Sequence, residues 1–196
     1  KRTCKQALQK KLGLDVDENT CIMSFVGRLT AQKGVDLLGA TVEWLMEDHK
    51  DGLSNVQLIM MGNGEPCFKD MLNWAETRWK GRVCGYYGFS PQVERDIIAG
   101  SDFFLMPSRY EPCGIPQMCA MRYGTIPIVH ATGGLRDSVR SWYADETVAT
   151  GFYMWPLNED SMKKVMFDAL DLYFRRPEQH EAMRRRAMEQ DFGWPR

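Results

Sequence analysis

The chain has 196 residues, 44% hydrophobic and 26% charged, with a formal net charge of -1 and a pI near 6.4. That fits one large globular domain whose core needs no disulfide or metal to hold it. The near-neutral balance excludes a nucleic-acid binder working by bulk electrostatics. No apolar run approaches the roughly 18 residues of a membrane span, and the six cysteines show no CxxC pair and no His at zinc-ligand spacing.

Short apolar runs alternate with amphipathic segments, which predicts a parallel sheet covered by helices. Residues 1–12 read as a basic helix that Gly13 ends, not as a signal peptide. Cys21–Val26 is a buried strand, its cysteine a small hydrophobe suited to a reducing compartment. The next helix spans 34–49, with Val35, Leu38, Val42, Leu45 and Met46 on one face. A strand over 56–61 leads through Gly62-Asn63-Gly64 into a helix at 66–79, where Trp74 and Trp79 read as core or interface. Residues 82–87 form a strand. Ser90 then caps a helix that begins with Pro91, packs Val93, Ile97 and Ile98, and ends at Gly100.

Phe103–Met106 is a strand, followed by a polar turn through 107–113 and a helix to Tyr123. In the strand at 126–129, Pro127 predicts a short or near-edge position. Two helices close the chain. The one at 161–174 sets Met162, Val165, Met166, Ala169, Leu170 and Tyr173 at helical spacing; the one at 177–190 carries Arg184, Arg185 and Arg186 as a solvated face. The missing initiator Met and the abrupt end at Arg196 give the expectation of a piece cut from a longer chain.

A Rossmann-like open sheet with helices on both faces binds ligands outside the carboxyl ends of its strands, so the loops after strands carry the chemistry. In Gly27-Arg28-Leu29-Thr30-Ala31-Gln32-Lys33-Gly34, two cations five positions apart beside a helix start suit a diphosphate, or are simply solvated. Gly62-Asn63-Gly64-Glu65 is a partial dinucleotide fingerprint, since Cys67 replaces the third glycine, and reads better as a tight turn. In Ser108-Arg109-Tyr110-Glu111-Pro112-Cys113-Gly114, Glu111 suits sugar hydroxyls or positive charge at an anomeric carbon; the alternative is capping, or an ion pair with Arg109. Paired glycines in Thr132-Gly133-Gly134-Leu135-Arg136-Asp137 permit an anion-binding nest or an ordinary turn. Asp15-Val16-Asp17 has the DxD form of metal-dependent transferases but sits on the wrong side of the sheet, as a surface turn. His49, His130 and His180 are too scattered for a triad or metal site.

Together these loops resemble the glycogen and bacterial or plant starch synthase family. The resemblance rests on Gly27–Gly34, Ile97-Ile98-Ala99-Gly100-Ser101-Asp102, Pro107–Gly114, Met121–Thr125 and His130–Asp137, in this order over nearly the whole chain. It implies the C-terminal half of a GT-B-type enzyme: 1–196 as a single nucleotide-sugar-binding domain, with the N-terminal acceptor domain absent. That domain carries a Lys-x-Gly-Gly loop, a catalytic His and much of the glucan groove. The implied activity moves glucose, with retention, from ADP-glucose or UDP-glucose to an α-1,4-glucan. No metal or other cofactor, no nucleic acid and no membrane are implied.

By analogy Arg28 and Lys33 hold the diphosphate and Glu111 meets the transferred glucose. Gly88 and Phe89 line the nucleobase pocket. Gly27, Cys113, Gly114, Ile115 and the Thr132-Gly133-Gly134 loop flank the donor. The family's Leu-Thr after its Glu-Pro-Cys-Gly block is Ile115-Pro116 here, which removes a hydroxyl and an N–H and puts donor affinity in doubt. The isolated segment is expected to bind nucleotide weakly without turnover, in a cytoplasmic or plastid-stroma setting. A sucrose- or trehalose-type transferase, a non-catalytic glucan-binding or scaffolding paralogue and a nicotinamide oxidoreductase are the other readings.

Overall fold

The computed structural model describes residues 1–47 and 52–193. The expected helix end at His49 and the terminal Trp194, Pro195 and Arg196 lie outside the described residues. Six strands form one parallel sheet: β1 Cys21–Val26, β2 Val56–Gly62, β3 Val83–Tyr87, β4 Phe103–Met106, β5 Ile126–His130 and β6 Phe152–Met154, in the order β3-β2-β1-β4-β5-β6. Among the described residues eight helices flank or connect them: α1 Arg2–Leu12, α2 Val35–Met46, α3 Pro66–Arg78, α4 Pro91–Gly100, α5 Pro116–Arg122, α6 Gly133–Ser138, α7 Glu159–Arg175 and α8 Pro177–Met188, with a 3-10 turn at Ala31–Lys33.

Both faces of the sheet are covered, and successive strand residues divide between them as the pleat requires. Met23, Phe25, Phe103 and Leu105 pack under α2, α3 and α7. Ile22 packs under α1 and α4, and Phe104 and Met106 under α4, α5 and α6. Double-sided burial is why the strands read as unbroken apolar runs. Ser90 caps α4, its hydroxyl accepting from Val93 N–H at 3.4 Å, with Pro91 at the first helical position.

Several of these local readings hold, and others need correction. α4 ends at Gly100 as expected, and a Cβ there would lie 2.6 Å from Leu8, so this glycine also lets α1 approach. Pro127 lies on a strand of five residues next to the edge, as expected, and pairing with β6 begins only at Ile128. Arg186 is no solvated charge, because its guanidinium donates to Ala149 O and Glu146 O, both at 2.9 Å. Trp79 packs on the core while Trp74, edge-on to it at 5.2 Å, is exposed. Of the cysteines only Cys21 and Cys84 are buried. Asp17 accepts from Asn55 and Asn19, both at 2.9 Å, at the amino ends of the strands. That is the end opposite the candidate loops.

α1 is fastened to the sheet by a buried pair, Lys5 Nζ to Asp102 Oδ2 at 2.7 Å, with Asp102 also accepting Ile22 N–H at 2.8 Å. Beside it, the buried His180 ring packs edge-on against Phe103 and Tyr173. Burial pushes its imidazole from 6.5 down to about 4, opposed by Asp102 and Glu181 and reinforced by Arg184 and Lys5. The folded ring therefore stays neutral while the unfolded one protonates near its ordinary value. This contribution to stability is complete above pH 6.5, falls as pH drops toward 4, and is worth about 3 kcal/mol across that window. Thermal melts between pH 7 and 4 should show a steeper loss of Tm for the parent than for His180→Phe, and parallel curves would refute the assignment.

Candidate functional site

β1 and β4 are neighbours, yet the chain runs outward from them in opposite directions, so the sheet order reverses between them. The loops after these strands flank the crevice that such a reversal leaves at the carboxyl edge. They also touch. Gly34 sits at φ +74°, and a Cβ there would fall 2.1 Å from Pro107 O, so only glycine lets the β1 loop pass this close.

Across the crevice Lys33 Nζ forms an ion pair with Glu111 Oε2, both side chains largely sheltered at 20% and 13% exposure. The Ser108 hydroxyl donates to the same carboxylate oxygen at 3.3 Å. Ser108 is buried, and its carbonyl accepts a hydrogen bond from His130 Nδ1 at 2.7 Å. The alternative partnership of Glu111 with Arg109 does not form. Arg109 turns away to Asp36 in the first turn of α2, with Nη1–Oδ1 at 2.8 Å and Nη2–Oδ2 at 2.6 Å. Asp36 and the Ser108 hydroxyl escaped the sequence reading; an acid three residues past Lys33 was the available signal. Arg28 is exposed, and its guanidinium has no hydrogen bond or ion pair among the described residues. It is a free cation on the loop that also carries Lys33.

The remaining loops fit around this pair. Gly27 N–H donates to Met61 O, and Gly88 N–H to Gly62 O, each at 3.0 Å, which stitches the carboxyl ends of β1, β2 and β3 together. Phe89 follows, 61% exposed. Cys113 is exposed and lines a cavity of about 500 Å³ with Gly134, Asp137 and Arg140. Gly114, at φ +70°, closes the turn, and Gln117 Nε2 donates to its carbonyl at 2.6 Å. Ile115 is exposed ahead of α5, and Pro116 takes the first helical position, where a missing N–H breaks no bond of the helix.

The paired-glycine loop differs from a nest. Gly133 and Gly134 begin the short helix α6. Gly134 N–H is already given to Glu111 O at 3.1 Å and Pro112 O at 3.2 Å. A Cβ on Gly134 would lie 1.8 Å from Cys113 O. These glycines serve close approach to the Glu111 loop, and Thr132 N–H goes to His130 O at 2.8 Å. That leaves Gly133 N–H as this loop's donor that no carbonyl takes.

A carboxylate held by a cation, with a second cation free on the same loop, can take an anion on one side and oppose positive charge on the other. The chain is similar to known proteins over nearly its whole length. The family model described as "Glycosyl transferases group 1" matches residues 5–190. The chain is 40% identical to starch synthase 2, chloroplastic/amyloplastic, of Arabidopsis thaliana over 99% of its own length and 24% of that protein. It is 40% identical to soluble starch synthase 1, chloroplastic/amyloplastic, of Solanum tuberosum over 97% of its length and 30% of that protein. The catalytic domain of starch synthase IV from Arabidopsis thaliana, bound to ADP and acarbose, superposes with a TM-score of 0.88 at 30% identity, over 98% of this chain and 39% of that one. The chain thus spans under a third of the curated relatives' length.

Proposed function

The chain belongs to the group 1 glycosyl transferases, and from that premise we propose that it is the donor-binding domain of a starch or glycogen synthase. The reaction moves glucose, with retention, from ADP-glucose to the non-reducing end of an α-1,4-glucan. A second domain of the full-length protein brings the acceptor to the carboxyl edge of this sheet. The observation that carries the reading is the Lys33–Glu111 pair across the β1/β4 reversal with Arg28 unpaired beside it. The likeness to a starch synthase domain bound to ADP and acarbose supports the choice of nucleotide and glucan.

Cleavage of the bond between the anomeric carbon and the diphosphate leaves negative charge on the nucleotide. Arg28 and Lys33 take up that charge, so no metal is needed for it. Positive character gathers on the anomeric carbon, which Glu111 faces. Phe89 and the backbone of Gly88 hold the base, and Gly27, Cys113, Gly114, Ile115 and the Thr132-Gly133-Gly134 loop border the phosphates and sugar. No helix among the described residues is long and apolar enough to cross a membrane, and the plastid names of the relatives favour the plastid stroma.

The test is glucose transfer by the full-length protein from ADP-glucose or UDP-glucose to a maltooligosaccharide, beside calorimetric titration with ADP and UDP. Transfer from ADP-glucose with selective ADP binding is expected. Tight glucan binding without transfer from either donor would overturn the reading in favour of a non-catalytic paralogue.

A further inference from the structure

We propose that Arg109 and Asp36 are positioning residues that lock the β1 and β4 loops in register, so that Lys33 and Glu111 meet. Four bonds from one residue tie the two loops. Arg109 N–H donates to Gln32 O at 2.8 Å, and Nη1 also donates to Ala31 O. The guanidinium grips Asp36 with both arms, at 2.8 and 2.6 Å. Arg109 stands two residues before Glu111, and Asp36 three after Lys33, so the two ion pairs are adjacent rungs between the same loops.

Lys33 is a flexible stem ending in a point charge and sets no geometry of its own, whereas a guanidinium–carboxylate fork fixes both distance and plane. The hydrogen-bonded guanidinium also holds the Asp36 carboxyl below the usual carboxylate range. Both partners are over a third exposed, so the pair adds little to global stability. Its effect lies in geometry, where a displacement of about an ångström costs up to a hundredfold in rate.

This inference rests on the roles given above to Lys33 and Glu111. The experiment takes Arg109→Ala, Arg109→Lys, Asp36→Ala and the double Ala variant of the full-length protein. It measures kcat and KM for the donor, ADP affinity, and amide hydrogen exchange in residues 27–36 and 107–114. Either Ala substitution should lower kcat about ten- to a hundredfold, change ADP affinity only a few-fold, and speed exchange in both loops but not in the core strands. The double variant should be no worse than Arg109→Ala alone, because that substitution already removes the fork that Asp36→Ala breaks. Arg109→Lys should recover only part of the rate, keeping charge without the fork. If Arg109→Ala impairs transfer while Asp36→Ala does not, Arg109 touches the donor itself and the clamp is wrong. Unchanged exchange in both loops would also overturn it. Absence of transfer by the parent protein would instead sink the functional reading, and the exchange data would still decide the clamp.

Discussion

Lys33→Ala in the full-length protein should cut glucosyl transfer by about a hundred- to a thousandfold, the range seen when one preorganised charge partner is removed from a transition state. The fold should survive. Glu111 would keep the Ser108 hydroxyl at 3.3 Å, and its backbone carbonyl would still accept Gly134 N–H at 3.1 Å. What is lost is compensation for a carboxylate that is only 13% exposed. Leaving such a group unpaired costs about 1–3 kcal/mol, or several degrees of Tm in a domain of this size. Steady-state kinetics with ADP-glucose and a thermal melt of the same sample separate the two effects. Unchanged kinetics would remove Lys33 from the site, and a collapsed melt would mean that the pair is structural.

Glu111→Ala should give the opposite division between binding and rate. ADP carries no glucose, so its affinity reports only the base and diphosphate contacts. Removing the carboxylate also releases Lys33 from its present partner. ADP should therefore bind as well as before or a few-fold more tightly, while kcat falls by about a hundredfold or more. Glu111→Gln isolates the charge, since its shape and its reach to Ser108 remain; a rate close to that of the Ala variant would show that charge is what counts. Calorimetry with ADP and initial rates with ADP-glucose are the two measurements. Equal losses in affinity and rate would contradict the assignment to the sugar.

Much of the architecture was legible in the sequence because sheet burial is two-sided. Strands such as Cys21–Val26 and Phe103–Met106 have no polar face to interrupt them, and both appear with the expected bounds. Helix limits were legible where one residue carries a local signal, as Gly13 and the Ser90-Pro91 pair do. The loop positions followed from the rule that parallel sheets bind at their carboxyl edge.

The sequence did not disclose β6 or α6. Phe152–Met154 is three residues, too short for a period to show, and Gly133–Ser138 opens with two of the poorest helix formers. The sequence by itself determined which residue types stand at the carboxyl edge: Arg28 and Lys33 on one loop, Arg109 and Glu111 on another. Only the tertiary structure decided who meets whom. Chain proximity offered Arg109 to Glu111, but the adjacency of β1 and β4 brings Lys33 across 78 positions to that carboxylate and sends Arg109 to Asp36. Pairing here is set by sheet order, which the crossover connections fix and no local pattern encodes.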